Sequence, residues 1–305
     1  MSNNSQSIST DTQFNILTEI PSTQQILFTL VEEPWSLIRQ KLVSLEQDGT
    51  SDFLLALMRC PPVQWLEIEK SVERIRTGTH IRRLYYNAES RFGIIKCIPG
   101  QEHEAMTGAL GQLVYGLPLR QQDVCSTRST MFVSANNSRK QADSSWRPRT
   151  RASDEWPSLV LEVGYSQSMG SLRHNARWWL ESRSYILGSG AGYRRVNQVI
   201  LIKILRPERR IILESWILGT PPRAPRITRN SGSWPGLRIS TLQQPATTLT
   251  TTLNSNTYAT TIQGPTSLTI LWEALHDTPH PTGQGDLVLT AYQLQDFADT
   301  VWDTV

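Results

Sequence analysis

The feature that most constrains the fold is a nearly continuous apolar run, Ser158 to Val163, because such a run is expected of a β-strand covered on both faces. The next segment, Ser171 to Ser182, has the apolar spacing of an amphipathic helix. A second apolar run, Val196 to Leu205, then predicts another buried strand. Together these segments indicate a sheet with helices packed against it.

The segments on either side extend this sheet. Two strand-like runs, Ile81 to Tyr86 and Arg91 to Ile98, flank a turn and predict a hairpin. The remaining predicted elements are a helix and several strands: Gln101 to Tyr115 as the helix, then Val124 to Thr127, Met131 to Val133, a run reaching Asp143, and an alternating strand from Arg210 to Ile217. From residue 101 the predicted order is α-β-β-β-α-β-β, so we expect a mixed α/β (α+β) fold.

Composition divides the chain into five expected parts. Residues 1–22 are polar and are expected to be a disordered tail. Residues 23–79 are expected to form a helical N-terminal segment, because apolar residues recur at helical spacing through Phe53 to Met58 and beyond. We expect the core over residues 80–218. Residues 219–265, first Pro/Arg-rich and then Thr-rich, are expected to be a loop insertion, and residues 266–305 a strand and a helix that complete the core.

Charge is unevenly distributed along the chain, although the net charge is only +3. Residues 1–79 carry a net −4, whereas residues 120–151 and 203–229 each carry a net +5. A basic middle is compatible with DNA or RNA as a partner and equally with an ordinary solvated surface. The candidate nucleic-acid-binding residues are Arg139, Lys140, Arg147, Arg149 and Arg177.

Targeting signals are not apparent in the sequence. The polar N-terminus lacks the apolar stretch of a signal peptide, and no run approaches the ~18 apolar residues of a membrane span. The three cysteines have no spacing typical of disulfides or zinc sites. We therefore expect an intracellular protein, in the cytoplasm or nucleus, with no membrane association.

Three acidic residues on successive predicted elements suggest a site. Glu104 lies on the predicted helix, Asp143 ends a strand before a break expected at Trp146-Arg147-Pro148, and Glu162 lies inside the buried strand. A carboxylate among apolar residues is costly unless it is paired or binds a metal, and converging carboxylates suit Mg²⁺ or Mn²⁺. The alternative is that Glu162 pairs with a nearby Arg while Asp143 caps a turn.

Several blocks of sequence resemble a fungal group in the PD-(D/E)xK restriction-endonuclease-like superfamily, close to its Uma2-like branch. The more specific blocks are Ala142 to Pro148, Trp156 to Ser168, Leu172 to Leu180 and Val199 to Ile204, and weaker ones are Lys96 to Glu104, Gly285 to Leu289 and Phe297 to Trp302. The resemblance implies an αβββαβ core and phosphodiester chemistry at one or two Mg²⁺ ions, held by acids that match Glu104, Asp143 and Glu162.

The sequence departs from this pattern at two positions. The motif lysine would fall at Gly164, and a further expected carboxylate is replaced by Asn175. A cation could instead come from Arg173, the candidate catalytic arginine, from Arg177, or from Lys140 on a neighbouring strand. Two functions stay open: a Mg²⁺-dependent nuclease, or a degenerate relative that binds nucleic acid or protein without cleavage. A small-molecule enzyme has little support, because no dinucleotide fingerprint or phosphate loop is present.

Overall fold

The computed structural model describes residues 17–28, 34–47, 53–74, 80–116, 123–182, 195–218, 247–254, 259–282 and 285–303. Its strands are β1 (Gln25–Leu27), β2 (Phe53–Met58), β3 (His80–Asn87), β4 (Phe92–Pro99), β5 (Val124–Ser126), β6 (Met131–Val133), β7 (Arg139–Gln141), β8 (Ser144–Pro148), β9 (Leu159–Gly164), β10 (Gln198–Leu205), β11 (Arg210–Ile217), β12 (Thr247–Asn254), β13 (Ala259–Gln263), β14 (Leu268–Ile270) and β15 (Leu287–Leu289). Its α-helices are α1 (Pro34–Gln47), α2 (Pro62–Arg74), α3 (Gly100–Gly116), α4 (Met169–Glu181), α5 (Trp272–His276) and α6 (Ala291–Trp302).

A seven-stranded sheet forms the larger half of the fold, in the order β13-β12-β11-β10-β9-β8-β5. Strands β9 and β10 run parallel and are connected through α4, and the other pairs are antiparallel. All six residues of β9 are buried. Leu159, Leu161 and Val163 share a core cluster with apolar residues of α3 and α6, whereas Val160 packs with residues of α4. The continuous apolar run follows from this coverage of both faces.

A six-stranded sheet forms the other half, in the order β1-β2-β4-β3-β7-β6. One face packs against α1 and α2, and Trp65 of α2 stacks on Tyr86 with ring centroids 5.0 Å apart. Gly93 is required beneath that ring, because a Cβ there would lie 2.3 Å from Trp65 Cζ3. The opposite face packs with Ile20 and with Trp178 of α4.

The chain passes from one sheet to the other within a few residues. Strand β7 ends at Gln141 in the six-stranded sheet, and β8 begins at Ser144 in the seven-stranded sheet. Asp143 therefore lies at the junction between the two sheets. A separate pair, β14 and β15, is antiparallel and contributes Leu268 and Leu289 to the core that α6 covers. Among the described helices, none has the length and apolarity needed to cross a membrane.

The structure confirms the mixed α/β class and the main pattern of elements. The hairpin is β3–β4, and the helix expected from residue 101 is α3. The elements α3, β5, β8, β9, α4 and β10 follow one another in αβββαβ order, with β5, β8, β9 and β10 adjacent in the seven-stranded sheet. Strands β6 and β7 are interposed in the chain but belong to the other sheet.

Two sequence predictions of secondary structure are wrong. Phe53–Met58 is a strand rather than part of a helix, because its alternate residues are buried in clusters on opposite faces of the sheet. The Thr-rich part of the expected 219–265 insertion includes β12 and β13, because β-branched threonines suit extended strands that pair with β11. Residues 219–246 lie outside the described residues.

Two further segments differ from expectation in detail. Trp146-Arg147-Pro148 lies within β8 and is not a break after the strand, because Trp146 is buried and pairs with Leu159. In the expected 1–22 tail, Ile20 is buried, since it packs on the six-stranded sheet. Residues 1–16 lie outside the described residues.

Candidate functional site

Asp143 is held at the sheet junction by donors from both sheets. Its Oδ2 accepts a hydrogen bond from Lys96 Nζ at 2.8 Å and another from the backbone N–H of Val163 at 2.7 Å. Its Oδ1 lies 3.7 Å from Nε of Arg83. Only 1% of the Asp143 side chain is exposed. A buried carboxylate needs such partners, and here they connect β4 of one sheet with β9 of the other.

Glu162 lies next to this junction, on the face of β9 that α4 covers. Trp179 Nε1 donates to its Oε1 at 2.5 Å, and Lys140 Nζ lies 3.6 Å from the same oxygen. Asn175 Nδ2 is 3.5 Å from Oε2, and Asn175 Oδ1 accepts a hydrogen bond from Lys140 at 2.8 Å. The residue that stands where the family pattern has a carboxylate therefore connects Glu162 to a lysine.

Three cations face these two carboxylates from one face of the six-stranded sheet. Arg83 on β3 lies directly opposite Lys96 on β4, and Tyr85 lies opposite Lys140 on β7. Lys140 Nζ is 5.1 Å from the centroid of the Tyr85 ring, a cation–π contact. Like charges opposite each other destabilise a sheet unless a countercharge is present. Asp143 supplies that countercharge. We call Arg83, Lys96, Lys140, Asp143 and Glu162 the ionic cluster.

Burial shifts the ionisation of the cluster. It raises the pKa of Glu162 and lowers that of Lys140, and the charge of each residue opposes the shift of the other. Burial also lowers the pKa of Arg83, which Asp143 and Glu162 partly offset. With every group ionised, three cations and two carboxylates leave the cluster with a formal charge of +1.

The space inside the cluster is very small. A cavity of about 20 Å³ is lined by Arg83, Lys96, Lys140, Glu162, Gln167 and Asn175, together with apolar residues of β2, β3 and β4. A cavity of ~10–15 Å³ holds one water molecule. The site therefore has room for water but not for a nucleotide.

The residues do not fit a divalent cation in this arrangement. Mg²⁺ requires about six oxygen ligands at roughly 2.0–2.1 Å, several of them usually water. Asp143 Oδ2 is already bound to Lys96 and Val163, and a divalent ion would add to a cluster that is already cationic. Within the described residues, no group of three His, Cys, Asp or Glu side chains is arranged to hold a metal. The dependence on Mg²⁺ or Mn²⁺ stays a prediction.

Of the three predicted acids, the structure brings Asp143 and Glu162 together and leaves Glu104 apart. Glu104 is exposed on α3, whereas Asp143 and Glu162 are buried, and the three form no metal-binding group among the described residues. The predicted catalytic residue Arg173 also lies elsewhere, because its guanidinium pairs with Glu214 on β11 at 2.5 and 3.1 Å. That pair neutralises a fully buried carboxylate, so Arg173 has a structural partner outside the ionic cluster.

The five predicted nucleic-acid contacts do not form one surface. Arg139 and Lys140 point to opposite faces of β7: Arg139 Nε lies 3.4 Å from Oε2 of Glu69 on α2, whereas Lys140 is buried in the ionic cluster. Arg147 is half-buried and donates to the carbonyl of Arg151. Arg149 is exposed, and Arg177 is half-exposed at 4.0 Å from Glu181. Only Arg149 and Arg177 are presented to solvent.

Sequence reasoning missed Arg83, Lys96 and Trp179 as parts of the site. A signal for Lys96 was present, because it interrupts the apolar strand Phe92–Pro99 as Glu162 interrupts its own. A lone cation in a buried strand requires a buried anion, just as a lone carboxylate requires a cation. The signal for Arg83 was weaker, because it adjoins another arginine in β3.

Comparison with known proteins identifies no family. No family model matches the chain, and no curated protein matches it. One similar solved structure is a "putative nuclease belonging to DUF820" from Anabaena variabilis ATCC 29413. It is 11% identical, with a TM-score of 0.38 over 71% of this chain and 90% of that one.

Proposed function

We propose that this protein is a catalytically degenerate relative of restriction-endonuclease-like nucleases that binds nucleic acid without cleaving it. The supporting observation is that the two acids at the expected catalytic position, Asp143 and Glu162, are each neutralised by an internal cation and are almost completely buried. Phosphodiester hydrolysis requires water and a phosphate group to reach the reacting residues together. A cavity of about 20 Å³ does not admit them.

The nucleic-acid part of the proposal rests on the basic character of the sequence and on two exposed arginines. Residues 120–151 and 203–229 each carry a net +5 in the sequence, although Lys140, Arg151 and Lys203 within them are buried. Arg149 and Arg177 are presented to solvent. The guanidinium group is planar and suited to bidentate contact with phosphate. Binding through such contacts would be independent of sequence and would weaken as salt concentration rises.

Cleavage and binding should be measured on the same preparations of the full chain. With Mg²⁺ or Mn²⁺ and single- or double-stranded DNA or RNA, we expect no turnover but salt-sensitive binding. Replacing both exposed arginines, Arg149→Gln and Arg177→Gln, should reduce the slope of log K against log salt by up to about 1 for each arginine that binds a phosphate group. The matched control is Arg39→Gln, which removes an exposed arginine from α1 in the acidic N-terminal part.

Two outcomes contradict the proposal. Binding that is equally weakened by the Arg39→Gln control would show that the two arginines have no specific part in it. Metal-dependent cleavage by the wild-type protein that is lost in Asp143→Asn would show that the site is catalytic.

A second candidate, a metal-dependent nuclease, is favoured by one observation. Lys140 lies 3.6 Å from Glu162 and supplies the cation that Gly164 cannot. This candidate requires Lys96 to leave Asp143 and the cluster to open to substrate. Cleavage lost in Lys140→Met as well as in Asp143→Asn, and unchanged in Arg39→Gln, would establish it.

A further inference from the structure

The ammonium of Lys96 lies between two oxygen acceptors at the sheet junction. It is 2.8 Å from Asp143 Oδ2 and 2.6 Å from the carbonyl oxygen of Val163. A carboxylate and a backbone carbonyl directed at one point are also ligands for hard divalent cations. The two acceptors belong to the β7–β8 junction and to β9, whereas the lysine enters from β4.

We propose that Lys96 is a built-in cation occupying a divalent-cation position formed by Asp143 and the Val163 carbonyl, and that removing its side chain lets a divalent cation bind there. This inference rests on the proposed function, because it gives the physical reason why the chain would lack metal-dependent cleavage. It assigns to Lys96 a role that neither motif spacing nor the acidic residues alone indicate.

The other lysine of the ionic cluster does not occupy an equivalent position. Lys140 has the same charge and lines the same cavity, but its Nζ bonds to the amide oxygen of Asn175 and lies 3.6 Å from Glu162. The charge of Asp143 raises the pKa of Lys140, but it is Lys96 that donates to both Asp143 Oδ2 and the Val163 carbonyl. Removing Lys140 would therefore lower the charge of the cavity without vacating the Asp143–Val163 oxygen pair.

Geometry and charge both explain why the single substitution Lys96→Ala should allow a divalent cation to bind. In Lys96→Ala the cluster would change from three cations and two carboxylates to two of each, and the space of the long side chain would open between the oxygens. Glu162 lines the same cavity as Lys96, so a second carboxylate faces the space that the lysine would vacate. Water would complete the coordination sphere.

Mn²⁺ binding by the full chain, measured by calorimetry and by the shift of the melting temperature, tests the proposal. We expect Lys96→Ala to melt below wild type without metal, to recover part of the loss in Mn²⁺, and to bind Mn²⁺ about tenfold more tightly than wild type, or better. Lys140→Ala is the matched control and should be destabilised without recovering in Mn²⁺. The double variant Lys96→Ala/Asp143→Asn should lose the response to Mn²⁺.

The proposal is overturned if folded Lys96→Ala binds Mn²⁺ no better than wild type, or if Lys140→Ala responds equally. Lys96→Ser, whose hydroxyl can serve as an additional ligand, is the second variant, and Mn²⁺ can be added during refolding. A further outcome is that both Lys96 variants fail to fold with Mn²⁺ present as well as without it. In that case a metal cannot replace the ammonium, and the proposal fails. Cleavage by wild type would instead refute the proposed function, so the two failures are distinguishable.

Discussion

Burial shifts the pKa values of Lys140 and Glu162, which lie against each other, in opposite directions. It raises the pKa of the glutamate and lowers that of the lysine, and the charge of each residue favours the ionised form of the other. The hydrogen bond from Trp179 also favours the ionised form of Glu162. A change that separates the two residues would therefore favour a protonated glutamate, which is a poor ligand for a cation.

His174 should make stability depend on pH in the mildly acidic range. Burial, with Lys140 and Arg177 nearby, lowers the pKa of His174 from 6.5 to about 4. Between these values the unfolded chain binds a proton that the folded protein does not, so stability should fall as pH falls from about 6.5 to about 4, by up to about 3 kcal/mol. Urea unfolding at pH 7, 6, 5 and 4.5 measures this change.

His174→Gln is the matched control for this titration. Its unfolding free energy should vary less with pH than that of wild type, and the difference between the two proteins isolates His174 from other groups, including His276, whose pKa is also lowered by burial. Identical pH profiles for the two proteins would contradict the assignment.

At the scale of elements, the packing of β9 on α4 leaves little room for a side chain at position 164. A Cβ at Gly164 would lie 2.9 Å from Cδ1 and 3.1 Å from Cδ2 of Leu172. The side chain at this position would point toward the helix, where Leu172 is fully buried. Glycine thus permits the close approach of α4. The cation near Glu162 is the ammonium of Lys140 on β7.

Gly164→Ala should destabilise the fold by about 1–3 kcal/mol, because the added methyl group overpacks the β9–α4 contact. Guanidinium unfolding monitored by circular dichroism measures the loss. Adding Leu172→Ala should cost less than the sum of the two single changes, since the substitutions relieve one another. The control is Gly108→Ala on α3, where a Cβ meets nothing within 4 Å and a small gain in stability is expected. Equal effects at the two glycines would contradict this account.

The elements that could be predicted from the sequence are those whose burial pattern is unambiguous. A run covered on both faces, such as β9, gives a continuous apolar signal, and α4 gives a clear helical period. The prediction for Phe53–Met58 is wrong because a six-residue apolar run has no period that separates a buried strand from part of a helix. The prediction for the Thr-rich segment is wrong because composition alone does not reveal that β11 offers an edge for pairing.

The candidate site was predicted only in part, because the partners of its acids are distant in the sequence. Asp143 and Glu162 could be found because a carboxylate beside or within an apolar strand is costly unless compensated. Their partner Lys96 lies 47 residues before Asp143, in the other sheet. The sequence indicated three acids and offered an arginine partner for Glu162 as the alternative to a metal, but its spacing could not show that Lys96 lies against Asp143.

At the scale of the whole molecule, the ionic cluster connects the two sheets. Its cations belong to the six-stranded sheet, Glu162 belongs to the seven-stranded sheet, and Asp143 lies where the chain crosses between them. Aromatic contacts cover part of the cluster, including Tyr85 against Trp178 of α4 with ring centroids 6.1 Å apart. The same low-dielectric surroundings that strengthen the ion pairs make an unpaired charge expensive.

Asp143→Asn should therefore destabilise the protein by about 3–5 kcal/mol, because Lys96 and Arg83 would remain buried without their nearest countercharge. Lys96→Met in the same chain should restore part of this loss, since it removes one of the unpaired cations, and urea unfolding of both single variants and the double variant gives the coupling energy. The matched control is the solvent-exposed pair Glu208–Arg210, where Glu208→Gln should cost no more than about 1 kcal/mol. If Asp143→Asn costs no more than Glu208→Gln, the cluster does not hold the two sheets together. If the double variant shows no coupling, Lys96 and Asp143 do not act as a pair.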